Sequence, residues 1–508
     1  MTKHRRTPMA LAAAAAAALL AGCSFIPTYE RPQPPVPATY AGAAATTDGA
    51  AVQPGATVPW QNYFAEPRLQ QLIGIALANN RDLRVAMLNI EQARATYQVR
   101  RADLYPGVGL AANASRAPAA GTGNLTNSFS VGLAVSAWEI DFFGRIASLK
   151  EQALAQYLAT EEGRNAAQVS LVAAVANGWL TLLADEELLD LSRQTLASRE
   201  ESVRLTKMRL DAGVASELDF RQAESLTQAA RATLAQQQRQ RALDENALVL
   251  LLGQALPQDV RASLAGGKLA DAPAMAPLPA GVPSELLTRR PDIRQAEQQL
   301  IGANANIGAA RAAFFPRISL TAQAGTASGE LSGLFKNGSW GFTIAPSLLL
   351  PIFDAGRNQA NLDSARVGRE IAVAQYEKAI QTAFREVSDA LAGQATLGEQ
   401  AQAQQQQAQA EAARLQLADL RYRNGVASYL DLLDAQRSLF TAQQAVVQVR
   451  LAQLQNQVSL YKALGGGAPD TTTQACGCAA ASACAVSRRA RSAGDGCPLG
   501  VPLPSTTM

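Results

Sequence analysis

The sequence predicts a mainly helical protein with a small β part, built from a long helical hairpin unit that occurs twice. Three observations support this fold class. The 508 residues are 48% hydrophobic but only 5% aromatic, so alanine and leucine supply most of the apolar content, as in helices packed closely on helices. Short motifs recur at a nearly constant spacing, which indicates a duplicated unit. Two very long stretches lack proline, which helix interiors exclude.

The N-terminus, residues 1–22, has the pattern of a secretory signal peptide. A charged start is followed by an apolar run over residues 9–21, which is too short to span a bilayer. The run ends in Leu-Ala-Gly before Cys23, and this ending resembles the bacterial lipoprotein processing box. We expect cleavage before Cys23, a diacylglycerol on its thiol and an acylated amino terminus; the alternative is an ordinary signal peptide with a chance cysteine. Ser24 resembles the second mature residue of outer-membrane lipoproteins.

Composition argues against several classes of function. The formal charge of +3 and the only histidine, His4, both come from the predicted leader. The mature chain therefore has no basic excess with which to bind nucleic acid. Without histidine it cannot use a Ser-His-Asp or Cys-His mechanism, nor a histidine-ligated metal site. We expect no enzyme activity, no nucleic-acid partner and no cofactor apart from the covalent lipid on Cys23. After the leader, no eighteen apolar residues follow one another without a break, so no transmembrane helix is predicted.

Internal repetition divides the mature chain. The segment 81–84 recurs at 291–294, which is 210 residues later, and the segment 213–216 recurs at 425–428, which is 212 residues later. A spacing this constant over a long distance means that one unit is duplicated. The predicted parts are an extended acylated arm, the first repeat, a linker, the second repeat and a tail, at residues 23–59, 60–255, 256–283, 284–466 and 467–508.

Each repeat is predicted to contain a helical hairpin of unusual length. Residues 145–210 are rich in Ala, Leu, Gln, Glu and Arg and would form a helix of about 100 Å at 1.5 Å per residue. Gly213 would end this helix in a left-handed cap. Ser216 and Asp219 have the spacing of a capping box, which would begin a helix that returns to about Leu252. The second repeat has the same pattern at Gly425, Ser428 and Asp431.

Two alternating segments predict strands at the other end of each repeat. Residues 128–138 alternate between apolar and small polar side chains, and residues 340–344 do likewise. Paired with the stretches that follow Pro106 and Pro316, they make four strands in one chain. The pattern fits a membrane barrel wall, although a half-buried sheet edge shows it too. Because a membrane barrel needs about eight strands, the chain must oligomerise if these strands span a membrane.

These pieces, in this order and twice, resemble the TolC-type outer-membrane efflux channels, specifically the lipid-anchored NodT and OprM-like branch. The resemblance rests on Cys23, the doubled unit, the re-entries into helix at 141–145 and 354–357, and the segment 429–435. It covers residues 60 to 466 and implies a homotrimer. Twelve strands would form a β-barrel in the outer membrane, and twelve helices would form an α-barrel across the periplasm. The chain would passively conduct small molecules received from a periplasmic adaptor protein and an inner-membrane efflux pump.

Two sets of residues are candidate functional sites. Asp434 resembles the family's aspartate at the tunnel constriction, and an exposed ion pair with Arg437 is the alternative role. Asp431 and Asp219 are further constriction candidates, although capping boxes account for both. The two helix-to-helix turns lie farthest from the strands and are the expected adaptor-docking sites, with plain helix capping as the alternative. They consist of Gly213, Val214, Ala215, Ser216, Gly425, Val426, Ala427 and Ser428.

A second class of function is a structural or adhesive coiled-coil protein that spans the periplasm and is anchored by lipid. The alternating strands distinguish the two classes, because a scaffold needs no membrane wall. The tail departs from the family pattern and carries Cys476, Cys478, Cys484 and Cys497. A metal clip or two disulfides would explain these cysteines, but their spacing matches no CxxC pair and the composition favours disorder. The sequence names neither the exported compound nor the pump.

Overall fold

A computed structural model describes residues 24–466, apart from 38, 41–57, 119–120, 122, 265, 270–274, 276–277 and 279–282. The predicted signal peptide, Cys23 and the tail with its four cysteines lie outside the described residues. The described chain is mainly helical with four strands, as the sequence predicts.

The first repeat consists of five helices and two strands. They are α1 (Trp60–Tyr63), α2 (Pro67–Asn79), α3 (Arg81–Ala102), β1 (Val108–Pro118), β2 (Leu125–Ile140), α4 (Arg145–Asp211) and α5 (Glu217–Leu252). A short helix α6 (Gln258–Leu264) follows in the linker. The second repeat has the same order from its counterpart of α2 onward: α7 (Pro283–Arg289), α8 (Pro291–Ala312), β3 (Arg317–Ser328), β4 (Trp340–Leu349), α9 (Arg357–Arg423) and α10 (Tyr429–Ala463).

The long helices α4 and α9 each contain 67 residues, so each is about 100 Å long. Both begin after a glycine in the left-handed conformation, Gly144 or Gly356. A preceding aspartate caps each helix: Asp141 accepts a hydrogen bond from the amide of Ala147 at 2.7 Å, and Asp354 caps α9 in a similar way. Two internal glycines do not break α4. At one of them, Gly178, a Cβ atom would lie 3.3 Å from the side chain of Leu248, so glycine allows α5 to pack closely.

The strands form one antiparallel sheet in the order β1-β2-β3-β4. The central pair joins the two repeats, with Gly132 of β2 opposite Gly325 of β3. These strands approach so closely that a Cβ atom on either glycine would collide with the backbone of the other strand. Within the described chain, β1 and β4 each have one edge without a strand partner. The sheet of a single chain is therefore open on both sides.

The main core lies where the short helices pack against the middle of the hairpins. Trp179 of α4 is fully buried and donates to the carboxylate of Glu66 at 2.8 Å. Tyr63 stacks on Tyr461 of α10 at 4.3 Å, so the start of the first repeat packs on the end of the second. One segment of α4 is long and apolar enough to cross a membrane, but 56% of this segment is buried inside the chain. Its apolar residues belong to this core.

The N-terminal arm runs along α8. Arg31 forms a two-pronged ion pair with the buried Glu297, at 2.7 and 2.9 Å. Nearer the N-terminus, Phe25 stacks on Phe315, which lies at the junction of α8 and β3. The described part of the linker also packs inward, because α6 buries Val260 and its neighbour Leu264 in the core.

Asp185 of α4 is a buried carboxyl group inside the first hairpin. It is only 5% exposed, and its Oδ2 atom has no hydrogen-bond partner in the described part of the chain. Burial raises the pKa of Asp185 to about 7, and the neighbouring carboxyl of Asp244 on α5 adds to this effect. Arg241 lowers the pKa in part, but it also binds Glu186 and Glu245.

We predict that Asp185→Asn stabilises the protein at alkaline pH. The pKa of Asp185 is higher in the folded chain than its ordinary 3.8, so the carboxyl destabilises the fold increasingly as the pH rises from about 4 to 7. At pH 8.5 the variant should gain on the order of 2 kcal/mol over the parent, and at pH 5 much less. Thermal unfolding followed by circular dichroism at both pH values measures this difference.

The exposed Asp190 on the same helix provides a matched control. Asp190→Asn should change the unfolding temperature equally at both pH values. If Asp185→Asn also gave equal changes, the buried carboxyl would not be the source of the pH dependence.

Candidate functional site at the hairpin ends and strands

The two helix-to-helix turns have the same backbone structure. Gly213 and Gly425 both have positive φ angles, 75° and 72°. In the first turn, the amide of Val214 donates to the carbonyl of Arg209 at 2.8 Å, and that of Gly213 donates to Leu210. The second turn repeats both bonds. This six-residue pattern is a Schellman motif, which requires a left-handed residue at the glycine position.

A capping box begins each returning helix. The side chain of Ser216 accepts a hydrogen bond from the amide of Asp219, and the Asp219 carboxylate accepts one from the Ser216 amide. Ser428 and Asp431 form the same pair at the start of α10. Asp219 and Asp431 therefore have the capping role that their spacing predicts. Their part in a constriction stays a prediction.

Both turns expose apolar side chains at their ends. Val214 and Val426 are 66% and 68% exposed, although apolar residues at this position of a Schellman motif often pack against the preceding helix. Leu218 and Leu430, the second residues of the returning helices, are exposed as well. Ala215 and Ala427 are half-buried. Each hairpin thus ends in a small apolar surface, which is the kind of surface that partner proteins bind.

Asp434 lies at the centre of an ion-pair network that the sequence predicted only in part. The expected pair with Arg437 is present at 3.2 Å. A shorter pair, at 2.6 Å, joins Asp434 to Arg414 on α9. Arg414 also contacts Glu411 at 3.2 Å and the hydroxyl of Ser438 at 3.3 Å. The hydrogen bond from Arg414 is the largest cause that lowers the pKa of Asp434 below its ordinary value, and Arg437 lowers it further.

The hairpin geometry explains why Arg414 was missed and how it could have been found. Residues at equal distances from the turn of an antiparallel hairpin lie opposite each other. Arg414 and Asp434 stand ten residues on either side of Asn424, the last residue before the turn glycine. Counting outward from the turn would have identified the pair. The corresponding residues of the first repeat are Ser202 and Gln222, which carry no charge.

Two cavities flank the hairpin ends. One of about 370 Å³ lies between α5 and α10, and its lining includes Asp434, Arg437 and Arg221. The other, of about 740 Å³, lies between α4 and the α9–α10 hairpin and is lined by both apolar and polar residues. The guanidinium of Arg209 lies over the ring of Tyr422 at 4.9 Å and so bridges α4 and α9. Near their turns the two hairpins therefore meet through this ring contact and a small apolar cluster that includes Tyr429 and Leu433, with two cavities beside them.

Further exposed apolar side chains lie on the strands and along two helices near them. Along α3 they include Val85 and Leu88, and along α9 they include Val367 and Ile371. The counterpart of α3 in the second repeat is α8, which packs on two long helices, α4 and α9. Helix α3 packs on α4 alone among the long helices of the described chain. One face of α3 is therefore left without the partner that α8 has.

Sequence and structure comparisons agree with this architecture. The chain is 48% identical over 480 residues to the probable efflux pump outer membrane protein TtgC of Pseudomonas putida, covering 92% of this chain and 98% of the relative. It is 45% identical to the outer membrane protein OprJ of Pseudomonas aeruginosa, covering 91% and 97%.

Among solved structures, a membrane protein from Pseudomonas aeruginosa matches with a TM-score of 0.80 and 44% identity, covering 88% of this chain and 98% of that one. The open state of the Neisseria gonorrhoeae MtrE outer membrane channel matches with a TM-score of 0.77 and 42% identity, covering 88% and 99%. The family of outer membrane efflux proteins matches both repeats, over residues 72–254 and 282–466. Together with the doubled hairpins and the open four-stranded sheet, this match establishes that the chain belongs to the outer membrane efflux protein family.

Proposed function

We propose that this protein is the outer-membrane channel of a tripartite efflux system. It receives small molecules from an inner-membrane pump through a periplasmic adaptor protein and conducts them passively to the outside. The observation that carries the proposal is the open sheet at one end of two long hairpins, in a chain that matches efflux channels over nearly its whole length. The duct has no catalytic step and needs no cofactor.

The sheet supports a membrane location. Backbone groups in hydrocarbon must all be hydrogen-bonded, so only a closed barrel can place strands in a bilayer. Each chain supplies four strands with two free edges. Two chains would give eight strands, which is about the smallest number in a membrane barrel, and three chains would give twelve. The family resemblance favours three, which makes the barrel and the surrounding ring of helices a homotrimer.

The repeats also indicate how the copies meet. Because α8 packs on α9 of its own repeat and on α4 of the repeat before it, α3 should pack on α4 and on α9 of the neighbouring copy. The two helices that would meet, α3 and α9, both carry exposed apolar residues. One α8 contact is especially close: a Cβ atom on Gly302 would lie 3.5 Å from the Cβ atom of Ala155. In the other repeat, Gln92 corresponds to Gly302 and Val367 corresponds to Ala155. In the trimer, the Gln92 and Val367 that meet belong to different chains.

We predict that Gln92→Cys with Val367→Cys forms a disulfide between copies, because the expected Cβ separation is within disulfide range. The four tail cysteines are first replaced by serine. Oxidised membranes run on a denaturing gel without reductant should show a covalent trimer that reductant converts to monomer.

The intrachain pair Gly302→Cys with Ala155→Cys is the matched control and should stay monomeric when oxidised. A covalent trimer band from Gln92→Cys with Val367→Cys would show directly that three copies assemble. Monomer from the first pair, alongside full oxidation of the control pair, would contradict the proposed interface, and a dimer as the largest species would contradict the trimer.

Channel function is tested by conductance in planar lipid bilayers. The purified protein should form pores. A lipid-anchored structural or adhesive coiled coil, the second candidate, would form none. The open sheet favours the channel, since a scaffold has no use for strands with free edges.

We infer that the two turns dock the adaptor. The set comprises Gly213, Val214, Ala215, Ser216, Gly425, Val426, Ala427 and Ser428. The exposed valines at the ends of both hairpins support this role. Helix capping by the glycines and serines is compatible with it, because capping uses the backbone and the serine hydroxyls and leaves the valine side chains exposed.

We predict that Val214→Glu with Val426→Glu weakens crosslinking to a co-expressed adaptor at least about tenfold, because a buried apolar contact would be replaced by a desolvated charge. Trimer assembly should be unchanged. Gln228→Glu with Gln406→Glu adds the same charge at exposed positions away from the turns and should leave crosslinking intact. If both variants crosslinked to the adaptor equally well, the turns would act only as helix caps.

We also propose that Asp434 lines the constriction of the closed channel, with Asp431 and Asp219 near it. Its side chain faces the cavity between α5 and α10. In a trimer, three copies of Asp434 would converge on the axis, where like charges in a narrow space attract cations. Arg414 and Arg437 hold the carboxylate ionised.

We predict that Asp434→Ala lowers cation selectivity and raises resting conductance in single-channel recordings. Asp431→Ala should have a smaller effect on selectivity, because it mainly removes a helix cap worth about 1 kcal/mol. Recordings of Asp434→Ala that match the parent in both quantities would make this residue an ordinary surface carboxylate.

Finally, we infer that Cys23 carries the lipid anchor. Phe25, two residues later in the sequence, packs at the junction of α8 and β3, where the helices continue into the strands. Intact mass of the mature protein, compared with Cys23→Ala, tests the modification. An unchanged mass apart from the substitution would rule it out.

A further inference from the structure

Arg199 of α4 is a buried arginine near the hairpin ends. It is 7% exposed. Its Nη1 atom donates to the carbonyl of Leu226 on α5 at 3.1 Å, and its own carbonyl accepts a hydrogen bond from the hydroxyl of Thr227. Its Nε atom is buried and has no hydrogen-bond partner among the described residues. The guanidinium is thus held between α4 and α5 with its hydrogen bonds incomplete.

Within the described chain no carboxylate neutralises Arg199. The two acidic residues beside it in the sequence are occupied elsewhere: Glu200 pairs with Arg231 at 2.8 Å, and Glu201 pairs with Arg204 at 2.5 Å. An unpaired buried charge is costly, because desolvation is not repaid by attraction to a partner. Burial is the main reason that the pKa of Arg199 lies below its ordinary value.

Leu226 connects Arg199 to α10. Its carbonyl binds Arg199, while its side chain packs against the cluster of Tyr429 and Leu433 and lines the same cavity as Arg437. Arg437 is also positively charged, and it lowers the pKa of Arg199 further, against a smaller opposing effect of Tyr429. A second positive charge therefore lies on the part of α10 that packs against the Leu226 contact.

In the second repeat, the charges at the corresponding place are paired with opposite charges. The counterpart of Arg199 is Glu411, 212 residues later. Glu411 binds Arg414, and Arg414 binds Asp434, which in turn binds Arg437. These four charges sum to zero. Arg199 is one positive charge in excess, and Asp434 reduces its repulsion from Arg437 because it pairs with Arg437.

We propose that Arg199 is a positioning residue that favours separation of the two hairpins at their ends. Its unpaired charge weakens the packing of α10 on α4, and Asp434 limits this weakening through Arg437. Moving α10 away from α4 would admit water to the guanidinium and increase the distance between the two arginines. The inference rests on the proposed function, in which the hairpin ends close the channel.

The decisive measurement is hydrogen–deuterium exchange by mass spectrometry on the full-length trimer in detergent. Arg199→Gln and Arg199→Lys are compared with the parent over residues 195–232 and 409–440. Both replacements can still donate to the carbonyl of Leu226, but only lysine keeps the charge. Arg199→Gln should slow exchange in α10 beyond the second turn by roughly threefold to tenfold, and Arg199→Lys should match the parent.

A purely structural role predicts a different result. If Arg199 served only its hydrogen bond to Leu226, glutamine and lysine would change exchange equally, or both would accelerate it. Either outcome would overturn the proposal, as would an unchanged rate in Arg199→Gln.

The partner is tested by a double-mutant cycle. In an Arg437→Gln background, the effect of Arg199→Gln should shrink, because the repulsion has already been removed. Fully additive effects would contradict repulsion between these two arginines.

Conductance separates this inference from the proposed gate. Arg199→Gln should lower resting conductance in planar bilayers. Slower exchange with unchanged conductance would support the role of Arg199 and place the gate elsewhere. A parent that forms no pores would remove the channel function, while the exchange experiment would still decide the role of Arg199.

Discussion

The open four-stranded sheet is the constraint on which the rest of the structure depends. Strand edges in a bilayer must be paired, and the described part of a single chain leaves both outer edges of its sheet unpaired. Closure by other copies places the helices that continue from the strands in a ring as well. The same closure explains why α3 lacks a second long-helix partner that its counterpart α8 has in the described chain. The oligomer and the periplasmic tunnel thus follow from one requirement of backbone hydrogen bonding.

Duplication gives the two hairpins the same backbone structure, whereas residues that differ between the repeats give their turn ends different charges. The backbone of the two turns is nearly identical, down to the Schellman motifs and capping boxes. The charges beyond the turns differ: Asp434 replaces the uncharged Gln222, and Glu411 stands where the first repeat has Arg199. The two hairpins therefore share one backbone scaffold but carry different charges near their turns.

Stability is concentrated far from the turns. Trp179 and the stacked Tyr63 and Tyr461 lie in the large core where both repeats meet, and the N-terminal arm adds the ion pair of Arg31 with Glu297. At the hairpin ends the apolar cluster is small, and cavities separate the helices. Few buried contacts mean a low free energy of local opening. The ends can therefore move while the core and the sheet stay intact.

The sequence by itself determined the repeats, the lengths of the long helices, the turn glycines and capping boxes, and the strand positions, because each depends on local periodicity or on a few neighbouring residues. Residues 145–210 were predicted as helix, and α4 ends one residue later. Only the tertiary structure decided which charges meet. Arg414 reaches Asp434 across a hairpin, and Arg199 is buried beside a helix more than 200 residues away. Such pairings arise when separate helices pack, and no local pattern records them.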